Sequence, residues 1–294
     1  MIQPVETTVM ANGLRHHVIT WAPEGPPPES TVLCCHGYLD IGWSWRQVAE
    51  RLAARGRRVV AFDWRGHGET EWVGAGGYYY FTDYIADLAD LVDAVVPGPL
   101  HLVGHSMGGG ISIHYAGAFD DRLEKLVVME GLGPPWTPKP PQPGRSADWV
   151  KDMRKARARR QSPPTIDSMA EVLRRMRIMN PGLSEEFGLE LAERATYEVS
   201  TEAGPKRVWT WDPMQKTRGP LEFDKAHLHS FMEAITSPVL YLHGEKGYRW
   251  SDQTELLTKF ADVRSIELAE VGHMLHWFAA ETVATAVDEF LGPG

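Results

Sequence analysis

Val103-Gly104-His105-Ser106-Met107-Gly108-Gly109 is the stretch that decides the fold. The apolar run Leu100-His101-Leu102-Val103 leads into it, and Ile111 to Ala118 leads out with helix-compatible composition. A strand that enters a sharp turn and leaves as a helix lifts the serine at the turn clear of the backbone and presents its hydroxyl as a nucleophile. Gly104 and Gly108 suit this turn because a side chain at either place would collide with neighbouring backbone. A positive φ is expected at Ser106 itself. The helix beginning near Met107 aims its amide groups and dipole at any anion forming there.

Outward from this turn, strand and helix patterns alternate. Residues 5–9 and 15–21 read as an antiparallel pair joined through Asn12-Gly13. Thr31–Cys35 reads as a buried strand, Ser44–Arg55 as a helix and Arg58–Asp63 as the next strand. In Asp83–Val96 the apolar Tyr84, Ile85, Leu88, Leu91, Val92 and Val95 recur at helical spacing, with Asp83, Asp87, Asp90 and Asp93 expected on the opposite face. Lys125–Met129, Ser237–His243 and Arg264–Leu268 read as further strands, and Ala279–Leu291 as a final helix. The pattern specifies an α/β fold: a mainly parallel sheet flanked by helices.

The alternation breaks at the Gly/Pro-rich stretch 131–144. Helix-like segments follow near 146–160, 166–178 and 184–196, with no strand expected between them. Residues 133–235 therefore read as a helical cap inserted into a core of residues 1–132 and 236–294. An insertion at the carboxyl end of a sheet strand overhangs the place where open α/β sheets bind ligands, so it is a candidate lid.

The chain has 294 residues, 43% of them hydrophobic, and a formal charge of −9. That charge argues against nucleic acid as the main partner. The basic run Lys151, Arg154, Lys155, Arg157, Arg159 and Arg160 reads as a solvated helix face. The adjacent Cys34 and Cys35 point to opposite faces of a strand and read as small buried residues of a reducing compartment. The first residues lack the basic start and apolar core of a signal peptide, and no apolar run reaches membrane-spanning length. The expectation is a cytoplasmic protein with no membrane partner. Neither a metal-ligand spacing nor a nucleotide glycine fingerprint is present, so no cofactor and no metal is expected.

The pieces Cys35-His36-Gly37-Tyr38, Asp63-Trp64-Arg65-Gly66-His67-Gly68, Gly104-His105-Ser106-Met107-Gly108 and Val271-Gly272-His273, in this order, resemble the α/β-hydrolase fold superfamily across nearly the whole chain. Within it, His36-Gly37-Tyr38-Leu39-Asp40, Val208-Trp209-Thr210-Trp211-Asp212-Pro213 and His243-Gly244-Glu245-Lys246-Gly247-Tyr248 resemble serine hydrolase-like proteins. The resemblance implies an eight-stranded sheet and a cofactor-free hydrolase.

A serine hydroxyl needs a base beside it. Of 12 histidines, His273 is singled out by its loop between the last strand and the last helix, which in this fold reaches back over the nucleophile. His276 lies three residues on and is read as a neighbour rather than the base. In many members the acid is an Asp three residues after the glycine that ends the strand Val239–His243; here that position is Gly247. Glu130, at the end of Leu126-Val127-Val128-Met129, is the leading candidate, because members that the chain resembles carry the acid there; Asp252 and Glu245 remain alternatives. The oxyanion hole is expected at the backbone amides of Met107 and, by resemblance, Tyr38. His36, Asp63, Arg65 and His67 read as loop-shaping residues. Trp43, Trp136, Trp209 and Trp211 are candidates for an apolar substrate pocket.

Dehalogenases and epoxide hydrolases of this fold carry Asp where Ser106 stands, so acyl transfer is favoured. The expected reaction is hydrolysis of a small-molecule carboxylic ester through an acyl-enzyme. Lactone hydrolysis, carbon–carbon bond hydrolysis and perhydrolysis use the same triad, and a ligand receptor on a hydrolase scaffold is the alternative outside catalysis.

Overall fold

The computed structural model describes residues 2–25, 28–119, 121–133 and 143–293. Strands β1 (Val5–Ala11) and β2 (Leu14–Trp21) form the expected hairpin. Its two turn residues, Asn12 and Gly13, both have positive φ (45° and 76°), the conformation that a two-residue hairpin with right-handed strand twist requires. Then follow β3 (Thr31–Cys35), α1 (Arg46–Ala54), β4 (Arg58–Phe62), α2 (Phe81–Val95), β5 (Leu100–His105), α3 (Met107–Ala118) and β6 (Leu123–Met129).

Among the described residues eight strands make one sheet in the order β1-β2-β4-β3-β5-β6-β9-β10, where β9 is Val239–Gly244 and β10 is Val263–Leu268. The β1–β2 and β2–β4 pairings are antiparallel; all others are parallel. Helices bury the two faces. On one side, α1 and the final helix α10 (Ala280–Leu291) cover Cys34, Val103 and Leu240. On the other, α2 and α3 cover Cys35, Leu102 and Val128. The adjacent cysteines thus enter opposite cores, both as free thiols. On α2, Leu88, Leu91 and Val92 are fully buried, each worth about 1.5–3 kcal/mol of transfer from water.

The acidic face of α2 departs from expectation. Asp87 is fully buried and takes the Arg65 guanidinium in a two-pronged bond. Arg65 sits just beyond β4 and reaches across to α2, so this charge is paired inside rather than solvated.

The insertion between β6 and β9 holds α4 (Gly144–Gln161), α5 (Met169–Met179), α6 (Glu185–Arg194) and α7 (Lys225–Ala234). It also holds a β-hairpin, β7 (Thr196–Thr201) with β8 (Gly204–Trp209), in a segment expected to contain helices alone. Thr196, Val199 and Thr201 are β-branched, and Gly204 takes φ 102° at the tip. Helices α8 (Gln253–Leu257) and α9 (Leu275–Phe278) complete the fold. Among the described residues no helix is long and apolar enough to cross a membrane.

Candidate active site

Ser106 links the end of β5 to the start of α3 with φ 53° and ψ −117°, a region that a residue with a Cβ occupies only under constraint. The constraint is steric. A Cβ at Gly104 would lie 2.6 Å from the Gly108 carbonyl oxygen and 2.7 Å from Gly109 Cα, and one at Gly108 would lie 2.6 Å from the His36 carbonyl oxygen. The Ser106 amide donates to Met129 at 2.8 Å, which pins the elbow to β6. Among the described residues the Ser106 hydroxyl has no hydrogen-bond partner. Contacts of this kind commonly tighten only when substrate binds.

Glu130 follows β6 directly. Its backbone also turns through positive φ (53°), and its amide donates to Leu242 of β9 at 3.1 Å. The turn sends the carboxylate inward, where it is 2% exposed. A buried carboxylate is costly unless its oxygens are bonded. Oε1 accepts from the Gly244 amide at 2.8 Å; Oε2 accepts from the Tyr248 amide at 2.8 Å and lies 3.2 Å from His273 Nδ1. A carboxylate only accepts, so Nδ1 carries the hydrogen, and in the neutral ring Nε2 keeps its lone pair.

His273 lies in the loop between β10 and α9, and its ring is partly exposed. The Tyr248 ring packs against it edge-on at 4.4 Å. The alternative acids point elsewhere. Asp252 pairs with Lys225, and Glu245 accepts from the Glu270 amide at 2.8 Å. His276 is fully buried, stacked on Trp45 at 4.7 Å.

The loop after β3 closes over the elbow. A Cβ at Gly37 would lie 3.2 Å from Ser106 Cβ, so the next amide, that of Tyr38, belongs to the nucleophile's surroundings. Among the described residues neither the Tyr38 nor the Met107 amide makes a loop or turn bond to another backbone group. The loop itself is braced. His36 accepts from the Trp64 amide through Nε2 at 2.9 Å, and His67 Nε2 accepts from the Leu39 amide at 3.2 Å. Burial lowers the pKa of His36 and, with His36 beside it, pulls His67 down to about 3, so both act as neutral cross-ties. Asp63 accepts from the Gly42 and Glu69 amides at 2.7 and 2.9 Å. The Tyr38 hydroxyl donates to the Gln215 carbonyl at 2.9 Å, tying this loop to the insertion.

The tryptophans fall in packing positions. Trp43 donates to Glu190 at 3.1 Å and lies under the Arg194 guanidinium at 4.0 Å, which fastens α6 to the core. Trp209 packs on Ile166, Val172 and Ala192 inside the insertion and stacks on Trp211 at 6.4 Å. Trp136 lies outside the described residues. Sequence reasoning did not single out Tyr248, whose amide and ring both serve this site; a residue adjoining the unusual Gly247 was the available signal.

Two clusters among the described residues bring three potential metal donors together: Asp40, His105 and His276, all buried, and the buried His17 with the exposed Glu6 and Glu69.

The alpha/beta hydrolase fold family matches residues 30–280. The chain belongs to this family. Similar proteins include a serine hydrolase-like protein of Dictyostelium discoideum, 25% identical over 227 residues (74% of this chain, 61% of that protein). A serine hydrolase-like protein of Danio rerio is 28% identical over 186 residues (60% of this chain, 54% of that protein). The chain therefore spans less than two thirds of the length of either relative. Among solved structures, the thioesterase domain from the curacin biosynthetic pathway superposes with a TM-score of 0.82 at 26% identity, covering 97% of this chain and 99% of that one.

Proposed function

We propose that the protein is a serine hydrolase that cleaves a carboxylic ester through an acyl-enzyme. The observation that carries this reading is the Glu130 carboxylate, buried, doubly held by backbone amides and 3.2 Å from His273 Nδ1. A buried acid held at one ring nitrogen of an imidazole leaves the lone pair of the other nitrogen to take a proton.

In this reading Ser106 Oγ attacks the ester carbonyl while His273 Nε2 takes its proton. Glu130 keeps the ring in the required tautomer and stabilises the imidazolium. The Tyr38 and Met107 amides receive the oxyanion; donors fixed in place before charge develops are worth about 10²–10³ each in rate. His273 returns the proton to the leaving alcohol, and water, activated by the same ring, releases the acid and frees Ser106. Residues 133–235 act as the lid over the core of residues 1–132 and 236–294. The tie from Tyr38 to Gln215 supports a link between lid and oxyanion loop.

Thioester cleavage is the second reading. The likeness to a thioesterase domain over nearly the full length of both chains favours it, and the same residues would serve. The test is a panel of aryl esters, thioesters and lactones with the wild type and Ser106→Ala, together with fluorophosphonate labelling. Turnover and labelling that vanish in Ser106→Ala support the reading. Ligand-induced stabilisation with no turnover of any member would replace it with a receptor.

A further inference from the structure

His105 stands between the two residues that carry the proposed chemistry. It precedes Ser106 in the chain, and its Nε2 lies 2.9 Å from the backbone carbonyl of His273. A carbonyl only accepts, so Nε2 carries the hydrogen and Nδ1 is left with the lone pair. The residue is 1% exposed. Burial, reinforced by His276 and His273 nearby, holds its pKa well below the ordinary histidine range, so the ring is neutral.

A second buried layer backs it. The His276 ring lies 4.6 Å from that of His105. His276 Nε2 is 3.2 Å from Ser44 Oγ and 3.4 Å from Asp40 Oδ2, and Ser44 donates to Asp40 at 2.8 Å.

Asp40, His105 and His276 are close enough for an ion to draw them together, with donor atoms within 4.8 Å of one another. His276 decides against that role. Among the described residues its Nδ1 has no partner, whereas a metal-binding imidazole gives its second N–H to an acceptor. With Nε2–H directed at Ser44 and Asp40, Nδ1 is a bare lone pair, and an unpaired acceptor is tolerated better than an unpaired donor. Asp40, Ser44 and His276 form a hydrogen-bonded group, and the His105 ring packs against it.

We propose that His105 is a positioning residue: its Nε2–H bond to the His273 carbonyl, backed by His276, Ser44 and Asp40, fixes the base loop against the nucleophile elbow. This rests on the Ser106–His273–Glu130 reading above. The bond joins the backbones of the two loops whether or not the serine and histidine side chains are themselves bonded. It therefore sets the distance over which the proton moves.

The test compares His105→Leu, which removes the donor, with His105→Gln, whose side-chain amide can supply one. The expected result is a fall in kcat of about 10²-fold in the Leu variant, as for an ångström-scale misplacement of a reacting group. KM should be unchanged, fluorophosphonate labelling slower, and turnover largely rescued by Gln. Both variants should melt at similar temperatures. A folded Leu variant with wild-type kcat, or a Gln variant as impaired as Leu, overturns the proposal while leaving the triad standing. Wild type that neither labels nor turns over overturns the triad itself. Should the Leu variant not fold, nitrogen NMR of the wild-type histidines decides: a neutral Nε2–H tautomer at His105 is expected, and an Nδ1–H tautomer or a charged ring at neutral pH refutes the brace.

Discussion

The Glu130 carboxylate fills the space in front of Gly247: a Cβ built on that glycine would lie 2.6 Å from Glu130 Cδ and 2.7 Å from its Oε2. Gly247 is the position where the common family pattern places the acid. The missing side chain and the buried glutamate are two halves of one arrangement: a carboxylate from the end of β6 fills the space, and the loop after β9 supplies backbone donors around it.

Gly247→Ala should therefore push the carboxylate off the Gly244 and Tyr248 amides without touching substrate. A kcat lower by about 10²-fold at nearly constant KM is expected, because the base loses its orienting partner. Steady-state ester kinetics check this; an Ala variant with wild-type turnover would show that the carboxylate need not sit there.

Glu130→Gln should lower kcat by at least about 10²-fold, since an amide can donate to His273 Nδ1 and favour the wrong tautomer. Asp252→Asn should stay within about threefold, because its carboxylate is paired with Lys225 and not with His273. The reverse ranking in the same assay would move the acid to Asp252.

Asp87→Ala should destabilise the fold by about 3–5 kcal/mol, the usual cost of leaving a buried charge without its partner. Arg65, 5% exposed beneath α2, would lose its two-pronged partner and keep only Asp83 at 3.2 Å. Denaturant melts measure this; a loss below 1 kcal/mol (about the worth of a surface pair) would mean Arg65 finds water there.

Stability should also fall on the alkaline side. His17 joins Asp63, 2.9 Å from Nδ1, to Glu6, 2.8 Å from Nε2, and Glu6 in turn holds Arg194 of α6. Burial opposes a charge on His17, yet the bond to Asp63 and the surrounding carboxylates raise its pKa from 6.5 to about 9. The folded state thus binds this proton more tightly than the unfolded chain. The contribution is complete below pH 6.5 and is lost as pH rises through about 9. Melting temperature should drop across that window in the wild type and less so in His17→Gln; parallel curves for the two proteins would reject the assignment.

The elbow was legible because its demands are local. Gly104 borders a strand–turn–helix whose backbone crowds it from Gly108 and Gly109, a few residues on, and the glycine frame marks the turn at Ser106, although the crowding at Gly108 comes from the distant His36 carbonyl. The two-faced burial of Cys34 and Cys35 came from strand alternation in the same way. The carboxylate beside His273 was not legible to that degree: Glu130, Asp252 and Glu245 are all plausible by composition, and only pairing of β6 with β9 brings Glu130 beside Gly247. Asp87 misled for a related reason. Helical periodicity reports which residues share a face, not that Arg65 from a distant loop lies under that face. The β7–β8 hairpin was hidden because Thr196 to Trp209 lies within a run of helical segments and has a largely exposed surface, so burial left little periodic mark.

By itself, then, the order of residues determined the alternating α/β architecture, the serine at the strand–helix turn and the loop that carries His273, because backbone sterics and apolar periodicity act over short spans of chain. Tertiary structure alone decided which carboxylate meets that histidine, which charges are paired inside and how His105 ties one loop to the other. The carboxylate–histidine and His105 contacts join segments more than a hundred residues apart and the Arg65–Asp87 pair spans 22 residues; no local pattern encodes which pair of separated groups will share a buried space.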